Sequence, residues 1–411
     1  MEVVYGRCCG LDVHKGTVVA CLLVRDGDTT QKEIRTFRTM TADLLVLHDW
    51  LMAYGVTHVA MESTGIYWKP IFNLLEGTLE VLLVNAAHLK RVPGRKTDVK
   101  DCEWIADLLS HGLLRASFIP PQPVRDLRDL TRYRKSLTDE RVREVNRLEK
   151  LLETANIKLS SVASDVMGVS GRAMLEAMLC GNTDPQVLAD LARGRLRKKL
   201  PLLQQALEGR FRPQHRFMLG QILSHIDYLD EAIETISMEV EKHISPFLEE
   251  VKLLDTIPGV DQKVAQSIIA EIGVDMSRFP THRHLASWAG FCPGNNESAG
   301  KRKSGKTRKG DRWLKRTLIE ASWAASRAKG TYLHSLYHRV ARRRGKKKAA
   351  VAVGHSILVS AYHMLKNHVP YQDLGPDHFD LLNATHIKHH FVHRLEGLGF
   401  KVTLEPLPTP C

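Results

Sequence analysis

The chain has 411 residues, 43% of them hydrophobic, and its 59 Lys and Arg outnumber 46 Asp and Glu to give a formal net charge of +13. That length exceeds one ordinary core and predicts two or three domains, while no apolar run is long enough to span a membrane. Seven cysteines without a CxxC pair argue against a disulfide framework or a zinc site, and MEVVYGRCCG lacks the regions of a secretory signal, so a cytosolic protein with a polyanionic partner is expected.

VYGRCCGLDV, GTVVACLLVRD and KEIRTFRTM read as three strands joined by short polar turns. ADLLVLHDWLMAYG follows as an amphipathic helix, HVAMES as a fourth strand, then a helix near 68–76 and the strand EVLLVN at 80–85. A helix from about Asp98 to Gly112 takes Thr97 or Asp98 as its N-cap. This order predicts an α/β domain of the ribonuclease-H or RuvC type over residues 1–120, with a mixed sheet in strand order 3-2-1-4-5.

PPQPV at 120–124 breaks the chain, and an all-α stretch over 121–247 follows. Val145, Leu148, Leu152, Ala155 and Leu159 step by three and four, as do Leu219, Ile222, Ile226, Leu229, Ile233, Ile236 and Val240, the spacing of coiled-coil seams. Whether the seams pair with each other or across protomers stays open. Between them, 161–214 reads as helix with Gly-rich turns at 168–171 and 181–185.

A mostly helical third unit spans 248–370. Its opening, VKLLDTIPGVDQKVAQSIIAEIG, is either a helix-hairpin-helix whose Pro258–Gly259 turn offers N–H groups to a phosphate, or an ordinary corner between helices. LASWAGFCPGNNESAG, a basic loop and the helix DRWLKRTLIEASWAAS come next. Trp288, Trp313 and Trp323 sit at helical positions and are expected in the core rather than stacked on bases. Residues 371–411 form a basic, His-rich tail; His386, His389, His390 and His393 share one face of a surface helix, with no Cys or carboxylate to complete a metal site.

Four acids stand out. Asp12 lies in GLDVHKGT, Glu62 in HVAMESTG, and Asp98 and Asp101 in GRKTDVKDCEWIADLL. With strands one and four adjacent, Asp12 and Glu62 would meet near carboxyl ends of the sheet, and Asp98 and Asp101, three apart, share a helix face. Carboxylates repel at close range unless a cation neutralises them, so the set predicts two-metal phosphodiester chemistry with Mg²⁺ or Mn²⁺. Singly, each acid also reads as a turn, a strand end or a cap. Glu103 and Asp107 are placed at the surface. GLDVHKGT is similar to the phosphate loop of actin-like ATPases too, but no second such loop follows.

Residues 301–316 hold nine Lys or Arg against one Asp, and 339–348 hold seven against none. Such runs, flanked by apolar helix, predict nucleic-acid contacts through Lys301, Arg302, Lys303, Lys306, Arg308, Lys309 and Arg312, and through Arg342, Arg343 and Arg344. Ser298 precedes the first run. A serine needs proton removal and stabilised phosphoryl oxygens to attack phosphorus; the cations supply the second, and no base is evident. From spacing alone, Ser298 as a loop hydrogen-bonder and Ser304 as a competitor remain open.

GLDVHK, ESTGIYW, KTDVKDCEWIADLL, IPGV and LASWAGFCPGNNESAGKRKSGKTRKGDRWLKR, in this order, resemble the DEDD transposases of bacterial insertion sequences in family one-ten and its eleven-eleven branch. The resemblance covers almost the whole chain. It implies a RuvC-like domain whose acids match Asp12, Glu62, Asp98 and Asp101, and a transposase domain whose serine matches Ser298 and becomes covalently joined to DNA. It implies donor and target DNA, a structured bridge RNA, homodimers or homotetramers, and a bacterial cytosol or nucleoid setting without a membrane. Ala299 stands where many relatives have Gly. The rival readings are a junction-resolving nuclease using metal-activated water and a non-catalytic nucleic-acid scaffold.

Overall fold

The computed structural model describes residues 2–26, 29–63, 65–85, 101–294 and 296–405, without the side chains of residues 296, 297, 302 and 303. The expected N-cap at Thr97 or Asp98, and Asp98 as a site acid, lie outside the described residues. The chain divides into two compact units, Met1–Ile119 and Pro120–Cys411.

In the first unit, β1 (Arg7–Val13), β2 (Thr17–Asp26) and β3 (Thr29–Arg38) form an antiparallel meander, rich in the β-branched and apolar residues that suit a half-buried pleat. Helix α1 (Thr41–Ala53) leads to β4 (His58–Glu62), α2 (Trp68–Leu75) and β5 (Glu80–Val84). β4 pairs parallel to β1, and β5 parallel to β4, so the sheet order is β3-β2-β1-β4-β5, the predicted mixed arrangement. Alternation sorts the side chains. Cys9, Leu11, Val59 and Met61 pack with Leu44, Leu47, Leu51 and Ile71 of α1 and α2. Cys8, Cys21, Ala60 and Val84 pack on α3 (Asp101–Ser110) through Cys102, Ile105, Ala106 and Leu109. Each fully buried leucine contributes about 1.5–3 kcal/mol, so this two-sided burial fixes the register.

Gly10 explains how α3 comes so close. A Cβ there would stand 2.3 Å from the Cys102 carbonyl and 2.4 Å from the Ala106 nitrogen. The helix therefore lies directly on β1. Val4 N and Tyr5 N donate to Ser110 O at 2.8 and 3.1 Å, which holds the C-terminal end of α3 at the start of β1. Its N-terminal end consequently points toward the carboxyl ends of β1 and β4.

The second unit is helical: α4 (Gln122–Thr154), α5 (Leu159–Val162), α6 (Val169–Leu179), α7 (Pro185–Asp190), α8 (Leu200–Leu207), α9 (Pro213–Ile244), α10 (Leu248–Asp255), α11 (Gln262–Ile272) and α12 (His282–Trp288). A two-stranded sheet of β6 (Asn296–Ser298) and β7 (Lys301–Ser304) follows. Then come α13 (Arg312–Ala325), α14 (Tyr332–Arg344), α15 (Lys346–Asn367), α16 (His378–Leu382) and α17 (Ala384–Glu396). The apolar steps in α4 and α9 meet each other within the chain: Leu148, Leu152, Leu219, Ile222 and Ile226 share one core with α6, α7 and α8. Arg141 pairs with Asp230, and His225 lies 3.5 Å from Glu144, so the two long helices run antiparallel.

Several local expectations shift. The helix after the PPQPV break begins within it, at Gln122, because Pro123 falls in the first turn, where its missing N–H costs nothing. Residues 168–171 open α6 rather than forming a turn. In the α10–α11 corner, Asp261 caps α11 by accepting from Val264 N at 2.8 Å. That carboxylate occupies the N–H a phosphate would use and repels an anion, which favours the ordinary corner. The tryptophans are not core residues: Trp288 and Trp313 are half-buried, and Trp323 is 38% exposed against Tyr337. Helix α17 buries none of its residues. No helix among the described residues is long and apolar enough to cross a membrane.

Candidate active site and nucleic-acid interface

The register Leu11↔Met61 between β1 and β4 places Asp12 and Glu62 one step further along neighbouring parallel strands. Both carry the parity of Cys8, Gly10 and Ala60, so both belong to the sheet face covered by α3. Gly10, two residues before Asp12 on that face, lies against the Cys102 carbonyl, which puts Asp12 near the first turn of α3; burial, and next the charge of Asp12, push the Cys102 thiol up. Asp101 opens that turn, at helical spacing from Ile105 and Leu108. Glu103 and Asp107 occupy the opposite flank, where Lys32 holds Glu103 at 2.9 Å and Arg25 holds Asp107 at 3.1 Å. These two acids are structural partners of β2 and β3.

His14, which the sequence reading passed over, brings Nε2 to 3.2 Å from Asp12 Oδ2. It stands in the turn after β1, and its position two residues past Asp12 in DVHK was the available signal. Among the described residues, no three His, Cys, Asp or Glu side chains gather closely enough to hold one ion. Asp12 and Glu62 are adjacent by register, and Asp101 shares their face, but these three do not close around a single point.

In the second unit the predicted basic loop is a β-hairpin. Ser298 pairs with Lys301 across Ala299 and Gly300, whose φ values of +50° and +73° are both left-handed. Two such residues form the tight connection that matches strand twist. Ser298 flanks that turn and is exposed. The ladder continues downward as Gly294 N donates to Lys306 O at 2.9 Å and Arg308 N to Cys292 O at 3.3 Å.

The hairpin base is fixed to the helical core. Lys315 of α13 donates from Nζ to Gly290 O at 2.8 Å and to Thr307 Oγ1 at 2.7 Å, and burial lowers its pKa. Asp311 caps α13 and accepts from Arg132 of α4 at 2.9 Å. Arg132 also forks onto the buried Glu271 of α11, with both bonds 2.7 Å. Neither Lys315 nor Arg132 was singled out from the sequence, since burial and long-range pairing leave no local mark.

Lys301, Lys306, Arg308 and Lys309 are exposed and have no carboxylate partner among the described residues. Arg312 lies over the Trp313 ring at 5.1 Å. The side chains of Arg302 and Lys303 lie outside the described ones. Arg342, Arg343 and Arg344 are exposed in the last turn of α14, where cations suit the helix dipole.

Comparison with known proteins decides the relationship. A family model described as a transposase, of the IS110 DEDD type, matches residues 9–157, and another, described as the IS116/IS110/IS902 transposase family, matches residues 251–338. The chain belongs to this transposase family. It is 25% identical over 341 residues to the insertion element IS116 uncharacterized 44.8 kDa protein of Streptomyces clavuligerus, covering 75% of this chain and 80% of the relative. It is 28% identical over 258 residues to the insertion element IS110 uncharacterized 43.6 kDa protein of Streptomyces coelicolor, covering 57% of this chain and 62% of the relative.

A transposase cleaves and rejoins DNA, so DNA is the substrate class. The first matched segment contains Asp12, Glu62, Asp98 and Asp101, and the second contains Ser298 with the hairpin. DEDD transposases work with divalent metal. The donors at the carboxyl edge of this sheet are hard oxygens of the kind such ions take.

Proposed function

We propose that this transposase cuts and exchanges DNA strands with Ser298 as nucleophile and with Asp12, Glu62, Asp98 and Asp101 as its acidic set. The observation that carries the reading is the adjacency of Asp12 and Glu62 at the carboxyl ends of β1 and β4, under the N-terminal end of α3. Two carboxylates at one register position on one face repel, and a divalent cation such as Mg²⁺ or Mn²⁺ offsets that repulsion. When bound by these acids, the metal would supply positive charge for the oxygens around the scissile phosphate. Ser298 Oγ would attack phosphorus as its proton leaves, forming an Oγ–P bond. The P–O3′ bond breaks, and the departing oxygen takes up a proton as a free 3′-hydroxyl for joining. The exposed hydroxyl beside a two-residue hairpin turn, ahead of cations without a carboxylate partner among the described residues, supports this role.

A guide RNA that selects donor and target DNA, and an assembly of two or four copies, complete the proposal; family likeness and the exposed basic segments support them. The test is direct. Full-length protein is incubated with Mg²⁺ and DNA carrying the ends of its element, then denatured and examined for a protein–DNA adduct. Wild type should form one, while Ser298→Ala and Asp12→Asn should not. Cleavage without an adduct would replace the serine by activated water. Sequencing RNA that co-purifies from the host tests the guide, and its absence would remove that part alone.

A further inference from the structure

The helical unit carries a cleft of about 770 Å³ that the cleavage chemistry does not use. Its wall includes Lys329, Arg339, Arg342, Arg343, His334 and His338. Most of these come from one face of α14, where Ser335, His338, Arg339, Arg342 and Arg343 recur at three- and four-residue steps. None of the four cations has a carboxylate partner among the described residues, although Asp380 lines the same cleft. Elsewhere in this unit Arg132, Arg172 and Arg316 each fork onto carboxylates. The cleft therefore concentrates uncompensated positive charge in a concave site, which focuses the field on an anion.

Two further contacts narrow the anion. His334 Nδ1 lies 2.8 Å from Ser326 O, leaving Nε2 as the ring nitrogen without a hydrogen-bond partner among the described residues, and the His338 ring sits 4.4 Å away. Phe379 on the opposing wall is stacked with Tyr332 at 5.3 Å and 25°, and the Arg339 guanidinium lies over it at 4.8 Å. A cationic groove beside an aromatic–guanidinium shelf suits a strand whose phosphates alternate with exposed bases. A duplex keeps its bases paired and stacked, so it has none to lay on such a shelf.

We propose that this cleft is a single-strand nucleic-acid site, with Lys329, Arg339, Arg342 and Arg343 on successive phosphates and a base against the Phe379 shelf. It rests on the reading that the partner is a nucleic acid, and it is independent of Ser298 and the acids. The shared chemistry is an unpaired polynucleotide, drawn either from a guide RNA or from an opened DNA strand.

Full-length protein carrying Ser298→Ala is titrated with fluorescent single-stranded RNA, single-stranded DNA and duplex DNA over a range of salt. Arg339→Gln with Arg343→Gln should weaken single-strand binding by about tenfold and flatten its log–log salt slope by about 1.4, the share of two phosphate contacts. Duplex affinity should stay within about twofold. Lys301→Gln with Lys306→Gln should show the reverse pattern. Phe379→Leu should weaken single-strand binding without changing the slope. Stronger binding of RNA than DNA assigns the guide as occupant, and the opposite order assigns the opened strand. Unchanged single-strand affinity in the cleft variant, or equal losses for strand and duplex, overturns the proposal. Both arginines are exposed, and the single variant Arg343→Gln repeats the measurement at lower folding risk.

Discussion

Gly290 and Gly310 cross back to back at the base of the hairpin: a Cβ on Gly310 would stand 2.3 Å from the Gly290 nitrogen, and one on Gly290 would stand 2.8 Å from the Gly310 nitrogen. The two chain segments that carry β6 and β7 are thus clamped where they leave the helical core. Gly310→Ala must push them apart, costing about 1–3 kcal/mol as overpacking does. Gly305→Ala, with no heavy atom within 4 Å of the added carbon, should stay within about 0.5 kcal/mol of wild type. Urea unfolding of both variants checks this, with adduct formation as the second readout. A Gly310→Ala protein as stable as Gly305→Ala would mean the crossing does not hold the hairpin.

At the tip the same hairpin carries a cost. Ala299 sits at φ +50°, a conformation that disfavours an L side chain by about 1–2 kcal/mol. Glycine removes that strain but loses more backbone entropy on folding, about 0.5–1 kcal/mol. Ala299→Gly should therefore stabilise the hairpin by up to about 1 kcal/mol and slow hydrogen exchange at the Lys301 amide. Ala299→Val should do the opposite. Faster exchange in the glycine variant would contradict a turn of this type.

Much of the first unit was legible because strands announce themselves by period and composition. The apolar runs in RCCGLDV and TVVACLLVRD, with one helix and HVAMES after the meander, matched the element order of a ribonuclease-H-like domain, and the strand order of that fold set Asp12 beside Glu62. The hairpin was not legible. Ala-Gly is a weak turn signal compared with Asn-Gly, and the strands NES and KRKS are polar, so they read as loop. The break at PPQPV falls where α4 begins, because Pro123 disrupts a helix interior but suits a first turn. Arg132 looked like one more surface cation; only the fold brings Glu271 and Asp311 to it.

That arrangement gives a third prediction. Glu271 is 3% exposed and accepts from Arg132 at 2.7 Å through both oxygens, with Arg128 Nε 3.2 Å away. Removing Arg132 leaves the buried carboxylate with Arg128 alone, at a cost of up to about 3–5 kcal/mol. Arg132→Met should lose stability on that scale, and adding Glu271→Gln should restore part of it. Burial already pushes the Glu271 carboxyl above its usual 4.5. A raised carboxyl favours the fold below the unfolded value and loses that contribution as pH rises through the folded one. Lowering the pH toward 4.5 should therefore narrow the gap between Arg132→Met and wild type. A gap that widens on acidification would show that Glu271 is not the group left exposed to the loss.

The acids of β1 and β4 can be tested without any DNA. If Asp12 and Glu62 repel each other across adjacent strand ends, the metal-free first unit carries a stress that Asp12→Asn or Glu62→Gln relieves. Neither variant should lower the melting temperature without metal, and either could raise it. Adding Mn²⁺ or Mg²⁺ should stabilise wild type saturably, by about 2.7 kcal/mol at a hundredfold excess over the dissociation constant. Both variants should lose most of that gain, because a neutral amide neither repels its neighbour nor binds a hard cation well. His14→Ala, which removes the imidazole 3.2 Å from Asp12, should keep the gain, since it leaves both carboxylates in place. Calorimetry of the full-length protein distinguishes the cases. A sharp loss of stability without metal in both variants would make these side chains structural, and an unchanged metal response would place the ion elsewhere.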